Sequence, residues 1–250
     1  MRFVLVAVAV LMPAVAYLSQ TGALGPTNGE LSDRYPTLLV AAGYAFAIWG
    51  VIFLLDLVHA VWAATGERAT NATLKRVAPL TALGFAATGI WSPIFTLELF
   101  WLALIVIWVA LAALAWSALQ LRADPGVGFL GWGPVSLHAG WLALAAFLNV
   151  AQVLVAYEVE PIVPLSFGLF GLAAVVLLVL NARMRGNVAF AVAAVWGLAA
   201  VYVKQSSHAL PGATAAAWVA LAIAALLGLQ TLALRLRARR PPSGTRAAAD

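Results

Sequence analysis

Cysteine is absent and charge is nearly so. Without a thiol the chain has no disulfide, no thiolate metal site and no catalytic cysteine. Asp, Glu, Lys and Arg make up 9% of the 250 residues, against about 25% in ordinary soluble domains. Only three histidines are available to a metal. No glycine-rich phosphate loop, no Ser-His-Asp order and no His-Glu-x-x-His run occurs. These absences exclude a soluble globular domain and the commonest nucleophilic and zinc hydrolases. The net charge of +5 sits at the ends of apolar runs, so it reports on topology and carries no signal for nucleic acid.

What fills the chain instead is apolar sequence, 64% of the residues, with a mean hydropathy of +1.00. At about 20 residues per crossing, this is an all-α polytopic membrane protein of about eight transmembrane helices. The runs are Phe3 to Gln20, Thr37 to Ala64, Val77 to Thr96, Leu99 to Leu121, Pro134 to Ala156, Leu165 to Asn181, Val188 to Val203 and Thr214 to Leu234. The first run lacks a clear small-x-small cleavage site and reads as a retained span, with a cleaved signal peptide as the alternative. Thr21 to Pro36 reads as a polar loop, and Pro79 and Pro93 as kink positions. Glu98, Lys204 and His208 read as solvated or interfacial groups. The Arg-rich, then Pro/Ser/Gly/Ala-rich stretch 235–250 reads as a disordered tail.

Eight spans sort the cations sharply. Twelve Lys and Arg (Arg2, Arg68, Lys75, Arg76, Arg122, Arg183, Arg185, Arg235, Arg237, Arg239, Arg240 and Arg246) fall on one side, and two, Arg34 and Lys204, on the other. The positive-inside rule then places both termini in the cytoplasm. The basic C-terminal run reads as a stop-transfer and lipid contact.

The stretch Gly43 to Ala64 carries more than an anchor needs. Phe46, Trp49 and Phe53 recur at i, i+3 and i+7 and mark one helix face. Asp56 and His59 are ionisable groups one turn apart within the apolar run, a costly placement in lipid. The two can pair, and His138 approaches from the same side. This polar cluster reads as helix-to-helix glue, with a proton relay or metal ligation as alternatives. Asn149 and Gln152, one turn apart, read as interhelical glue before ligand contacts. Eight of the ten tryptophans lie between Trp49 and Trp141, which sets a composition boundary near Tyr157.

Three segments read together carry a resemblance: FAIWGVIFLL at Phe46 to Leu55, WSPIF at Trp91 to Phe95 and WLALAAFLN at Trp141 to Asn149. They resemble the tryptophan-rich sensory protein / translocator protein (TspO/MBR) family. Phe46, Trp49 and Phe53 match its second-helix pattern with Phe53 in place of Tyr. Trp91, Ser92 and Phe95 match its third, with Thr88 and Gly89 where Leu-Asn would stand. Trp141, Leu148 and Asn149 match its fifth, with Leu137 and His138 replacing Pro-Tyr. The family's Pro- and Trp-rich first loop has no counterpart in Thr21 to Pro36. The resemblance implies a five-helix domain over 1–156, three additional helices over 157–234 and the basic tail over 235–250. It also implies that Phe46, Trp49, Phe53, Trp91, Phe95, Trp141 and Asn149 bind a planar apolar ligand such as a porphyrin or haem, or a sterol- or carotenoid-like molecule. The other function classes are a transporter of small apolar molecules and a membrane enzyme or accessory subunit of pigment or lipid metabolism. No catalytic residue or metal site is assigned. Expected partners are the bilayer, the small ligand and, in a homodimer, a second copy.

Overall fold

In lipid no water satisfies the backbone, so each crossing must close its own hydrogen bonds as a helix. A computed structural model describes residues 1–160, 162–207 and 209–238. His208, Pro161 and the tail residues Arg239, Arg240 and Arg246 lie outside the described residues. Among the described residues there are eight helices long and apolar enough to cross a membrane. They are α1 (Arg2–Gln20), α3 (Ile48–Ala64, led by a 3-10 turn over Gly43–Ala47), α4 (Ala72–Thr96), α5 (Phe100–Ala123), α6 (Phe129–Ala156), α7 (Ile162–Arg183), α8 (Val188–Ser206) and α9 (Ala213–Ala238). The protein is a multi-pass, all-α membrane protein.

Three segments differ from the sequence reading. Within the first loop a short helix, α2 (Asn28–Arg34), is started by a capping box. The Thr27 hydroxyl accepts from the Glu30 backbone N–H, and the Glu30 carboxylate accepts from the Thr27 backbone and hydroxyl. Those bonds hold the Glu30 carboxyl below its usual pKa. The second span does not begin at Thr37 as a helix. Residues 37–42 are non-helical, with Leu38, Leu39, Val40 and Ala41 buried. Their backbone is satisfied by α8: Ala42 N–H donates to Ala200 O (3.0 Å), and Gln205 Nε2 donates to Thr37 O (2.9 Å). Irregular backbone is tolerated here because protein, not lipid, surrounds it. At the other end of the chain α9 runs on to Ala238, so Arg235 and Arg237 belong to a helix and not to a tail.

α6 is the most enclosed span. It packs on α5, α3, α8 and α7, while α1 packs on α4 and α3. Hydrophobicity does not drive helices together in lipid, so close contact must. At Gly140 the contact is backbone to backbone: a Cβ there would stand 2.2 Å from Phe190 O of α8. Asn187, which caps α8, also donates to Ser136 Oγ of α6 (2.8 Å). α7 and α8 are thus seated directly on α6, and α9 packs on α8 and α7.

The charged ends separate as the span count requires. Arg122, Arg185 and Arg235 lie near enough to sense one another's charge. On the opposite face Glu98, with φ +59°, accepts from Arg34 (2.6 Å) and Tyr35 Oη (3.1 Å), and Lys204 donates to Asp33 (3.0 Å). Glu98 and Lys204 are therefore paired across loops, which a reading of single spans could not show. Gly140→Ala is expected to destabilise the bundle by about 2 kcal/mol, whereas Gly168→Ala, facing open space on α7, leaves stability unchanged or slightly raised. Thermal unfolding in detergent checks this; equal behaviour of the two would contradict the α6–α8 contact.

Candidate functional site

The aromatic stripe of the second span is set by two kinds of turn. Phe46 sits in the 3-10 segment, and Trp49 and Phe53 in the first turns of α3. All three line one cavity of about 390 Å³ between α1, α2, α3 and α4. Trp91 and Ser92 of α4 complete the wall, and Gln20 and Asn28 stand at its polar end. Behind it lies a narrow recess of about 30 Å³ that shares Phe46, Trp49 and Trp91 and adds Phe95, Trp141 and Asn149. Four of the seven expected ligand-binding residues therefore line the main cavity, and the other three line only its inner extension.

The rings support one another. Trp49 stacks on Phe53 (5.2 Å, 24°) and meets Trp141 edge-on (5.8 Å, 84°), and Trp91 stacks on Phe95 (5.1 Å, 23°). Asn149 is a positioning group for one ring: its Oδ1 accepts from Trp91 Nε1 (3.0 Å) while its Nδ2 donates to Ala145 O. Gln152 is likewise used between elements, donating to Ser32 Oγ (3.1 Å). Within this largely apolar cavity, Asn28 Oδ1 and Ser92 Oγ are buried and have no hydrogen-bond partner in the protein. An unpaired buried polar atom costs about 1–3 kcal/mol, so both atoms favour a partner that enters the cavity.

Below the aromatic layer is a polar chain across three helices. Asp56 Oδ2 contacts His138 Nδ1 at 2.7 Å, and His138 Nε2 contacts Thr88 Oγ1 at 3.1 Å. Thr88 gives its own hydrogen to Gly84 O (2.9 Å), so it can only accept from His138 Nε2–H. The Asp56–His138 contact must then hold one proton, on either the carboxyl or Nδ1. In both placements the pair is neutral, which suits a site where both side chains are fully buried. Phe85 stacks on the imidazole (5.9 Å, 13°), and Trp49 meets it edge-on (5.7 Å). Because Thr88 also lines the cavity, this chain ends at the cavity wall.

His59 does not belong to that chain. Its Nδ1 donates to Leu130 O (3.1 Å) on α6, and no hydrogen bond joins it to Asp56 among the described residues. Residues three apart are turned by about 60° on a helix, and here the carboxylate side faces His138 while the imidazole faces the start of α6. The described residues contain no group of three or more His, Cys, Asp or Glu placed to hold a metal. Sequence reasoning missed the α1 and α2 walls. The signal was present on α1, where Pro13, Ala16, Tyr17 and Gln20 fall at i, i+3, i+4 and i+7 and all line the cavity. Nothing local marked Asn28.

The family model described as TSPO-like protein matches residues 2–233, across all eight spans. No curated protein and no solved structure matches the chain. Removing one partner of the neutral pair strands the other, so Asp56→Ala is expected to cost about 3 kcal/mol. Asp56→Asn, whose amide can donate to Nδ1 of a neutral His138, should cost less than half as much. Denaturation in mixed micelles measures both; equal losses would contradict the shared-proton arrangement.

Proposed function

This chain belongs to the TSPO-like family, and from that premise we propose that it is a membrane ligand-binding protein for a planar, largely apolar molecule with a polar edge. The observation that carries the reading is the cavity of about 390 Å³. Its size lies within the range of small-molecule sites. Three aromatic residues, Phe46, Trp49 and Phe53, stand on one wall and Trp91 on another. Flat π-systems gain about 0.5–1.5 kcal/mol per aromatic contact beyond simple burial. At the polar end, the unpartnered Asn28 Oδ1 and Ser92 Oγ would fix the ligand's orientation. A tetrapyrrole, an extended ring system whose carboxylate edge can accept from the Ser92 hydroxyl, is the ligand class that the TspO/MBR resemblance implies; Asn28 Oδ1 would accept from an N–H or O–H of the ligand. Phe95, Trp141 and Asn149, which line the recess, then act mainly as the rigid backing of the binding face. The asymmetry of Lys and Arg supports a bacterial inner-membrane protein with cytoplasmic termini, which puts the cavity in the outer half of the bilayer.

Protoporphyrin IX is expected to quench tryptophan fluorescence saturably in the reconstituted protein. Trp49→Leu should weaken binding about tenfold, and Ala16→Phe, which fills the cavity from its α1 wall, should abolish the saturable component. Trp218→Leu, an exposed ring on α9, should change nothing. The same binding curve in all four proteins would overturn the proposal.

A further inference from the structure

A second cavity, of about 500 Å³, lies at the opposite end of α1, α3 and α4. It is the end that carries most of the chain's Lys and Arg. Its walls divide by chemistry. Leu5 of α1, Ala63 and Ala64 of α3, and Leu74, Val77 and Ala78 of α4 form an apolar side. Arg2, Arg68 and Lys75 line its rim, and no carboxylate lines it. Glu67 sits beside Arg68 in the 3-10 turn Gly66–Thr70 but is not part of the wall. None of the three cations forms an ion pair among the described residues.

Three like charges around one cavity repel, and a bound anion relieves that repulsion. The site is also partly built in advance. Arg68 Nε donates to Thr65 O (3.3 Å), and its guanidinium lies 5.1 Å over the Trp62 ring. This fixes a planar fork of donors of the kind that fits phosphate oxygens. His59 lines the inner part of the same cavity. With its Nδ1–H given to Leu130 O, its Nε2 is left as an acceptor for a hydroxyl. We infer that this cavity binds the phosphate headgroup of an anionic phospholipid, with Arg2, Arg68 and Lys75 on the phosphate and the apolar wall against the glycerol and first acyl carbons. A basic cavity between helices at the membrane surface is suited to that ligand because charge and apolar contact act together. A free phosphate ion would use the cations and leave the apolar wall idle.

The test uses the full chain in mixed micelles, titrated with dioleoyl phosphatidylglycerol or dioleoyl phosphatidylcholine and read by native mass spectrometry. One phosphatidylglycerol should be retained in preference to phosphatidylcholine. Lys75→Gln, at an exposed side chain, should weaken retention about fivefold, and Arg68→Gln with Lys75→Gln about 30-fold. Lys204→Gln on the other face should leave it unchanged. Equal retention of the two lipids, or an equal loss in the Lys204→Gln protein, would overturn the inference. Displacement of phosphatidylglycerol by millimolar inorganic phosphate would assign the site to a free phosphate species and overturn the lipid assignment.

Discussion

One proton held between Asp56 and His138 sets the arrangement of the helices around it. A lone carboxylate or imidazolium at this depth would carry a desolvation cost no packing could offset. The 2.7 Å contact makes the pair neutral, and Thr88, on a third helix, accepts from the other imidazole nitrogen. α3, α4 and α6 are thereby tied at one level. Above that level the same three helices present Trp49, Trp91 and Trp141, whose rings back the cavity and its recess. The aromatic face is placed by the polar chain beneath it, and Trp49 and Phe85 in turn pack against its imidazole.

The chain's two ends of interest follow from the same helices. α1, α3 and α4 enclose an aromatic cavity with few polar atoms at one end and a basic, half-apolar cavity at the other. The neutral Asp56–His138–Thr88 chain lies between the levels of the two. α8 completes the fold from outside this group. Its Ala200 carbonyl and Gln205 amide satisfy the non-helical backbone of residues 37–42, and Trp196 Nε1 donates to Ala45 O (3.1 Å). α8 is therefore part of how the second span is held, which accords with a family match running through residue 233.

What sequence could reveal divides along physical lines. The eight crossings were legible because a bilayer demands long apolar runs. The stripe of Phe46, Trp49 and Phe53 was legible because helical periodicity is local. The capping box at Thr27 and Glu30 was also written in the sequence, though hidden in a loop rich in Gly and Pro. Asp56 was singled out but its partner was not: a carboxylate can turn toward His59 or His138, and only the packing of α6 against α3 decides. Asn28 and Ser92 gained significance only when α2 folded over the cavity, a contact that no spacing encodes. The pairings of Glu98 with Arg34 and of Lys204 with Asp33 are likewise products of loop geometry.

A fixed, asymmetric site for a flat ligand differs from simple dissolution of an apolar molecule in the bilayer in one observable way. An achiral porphyrin has no circular dichroism of its own and acquires it only when held in one orientation by a chiral environment. Circular dichroism in the Soret region of protoporphyrin IX, titrated into the reconstituted protein, therefore tests the claim most directly. A saturable induced signal at one equivalent is the expected result. Porphyrin absorbed by the proteoliposomes without induced dichroism would contradict it.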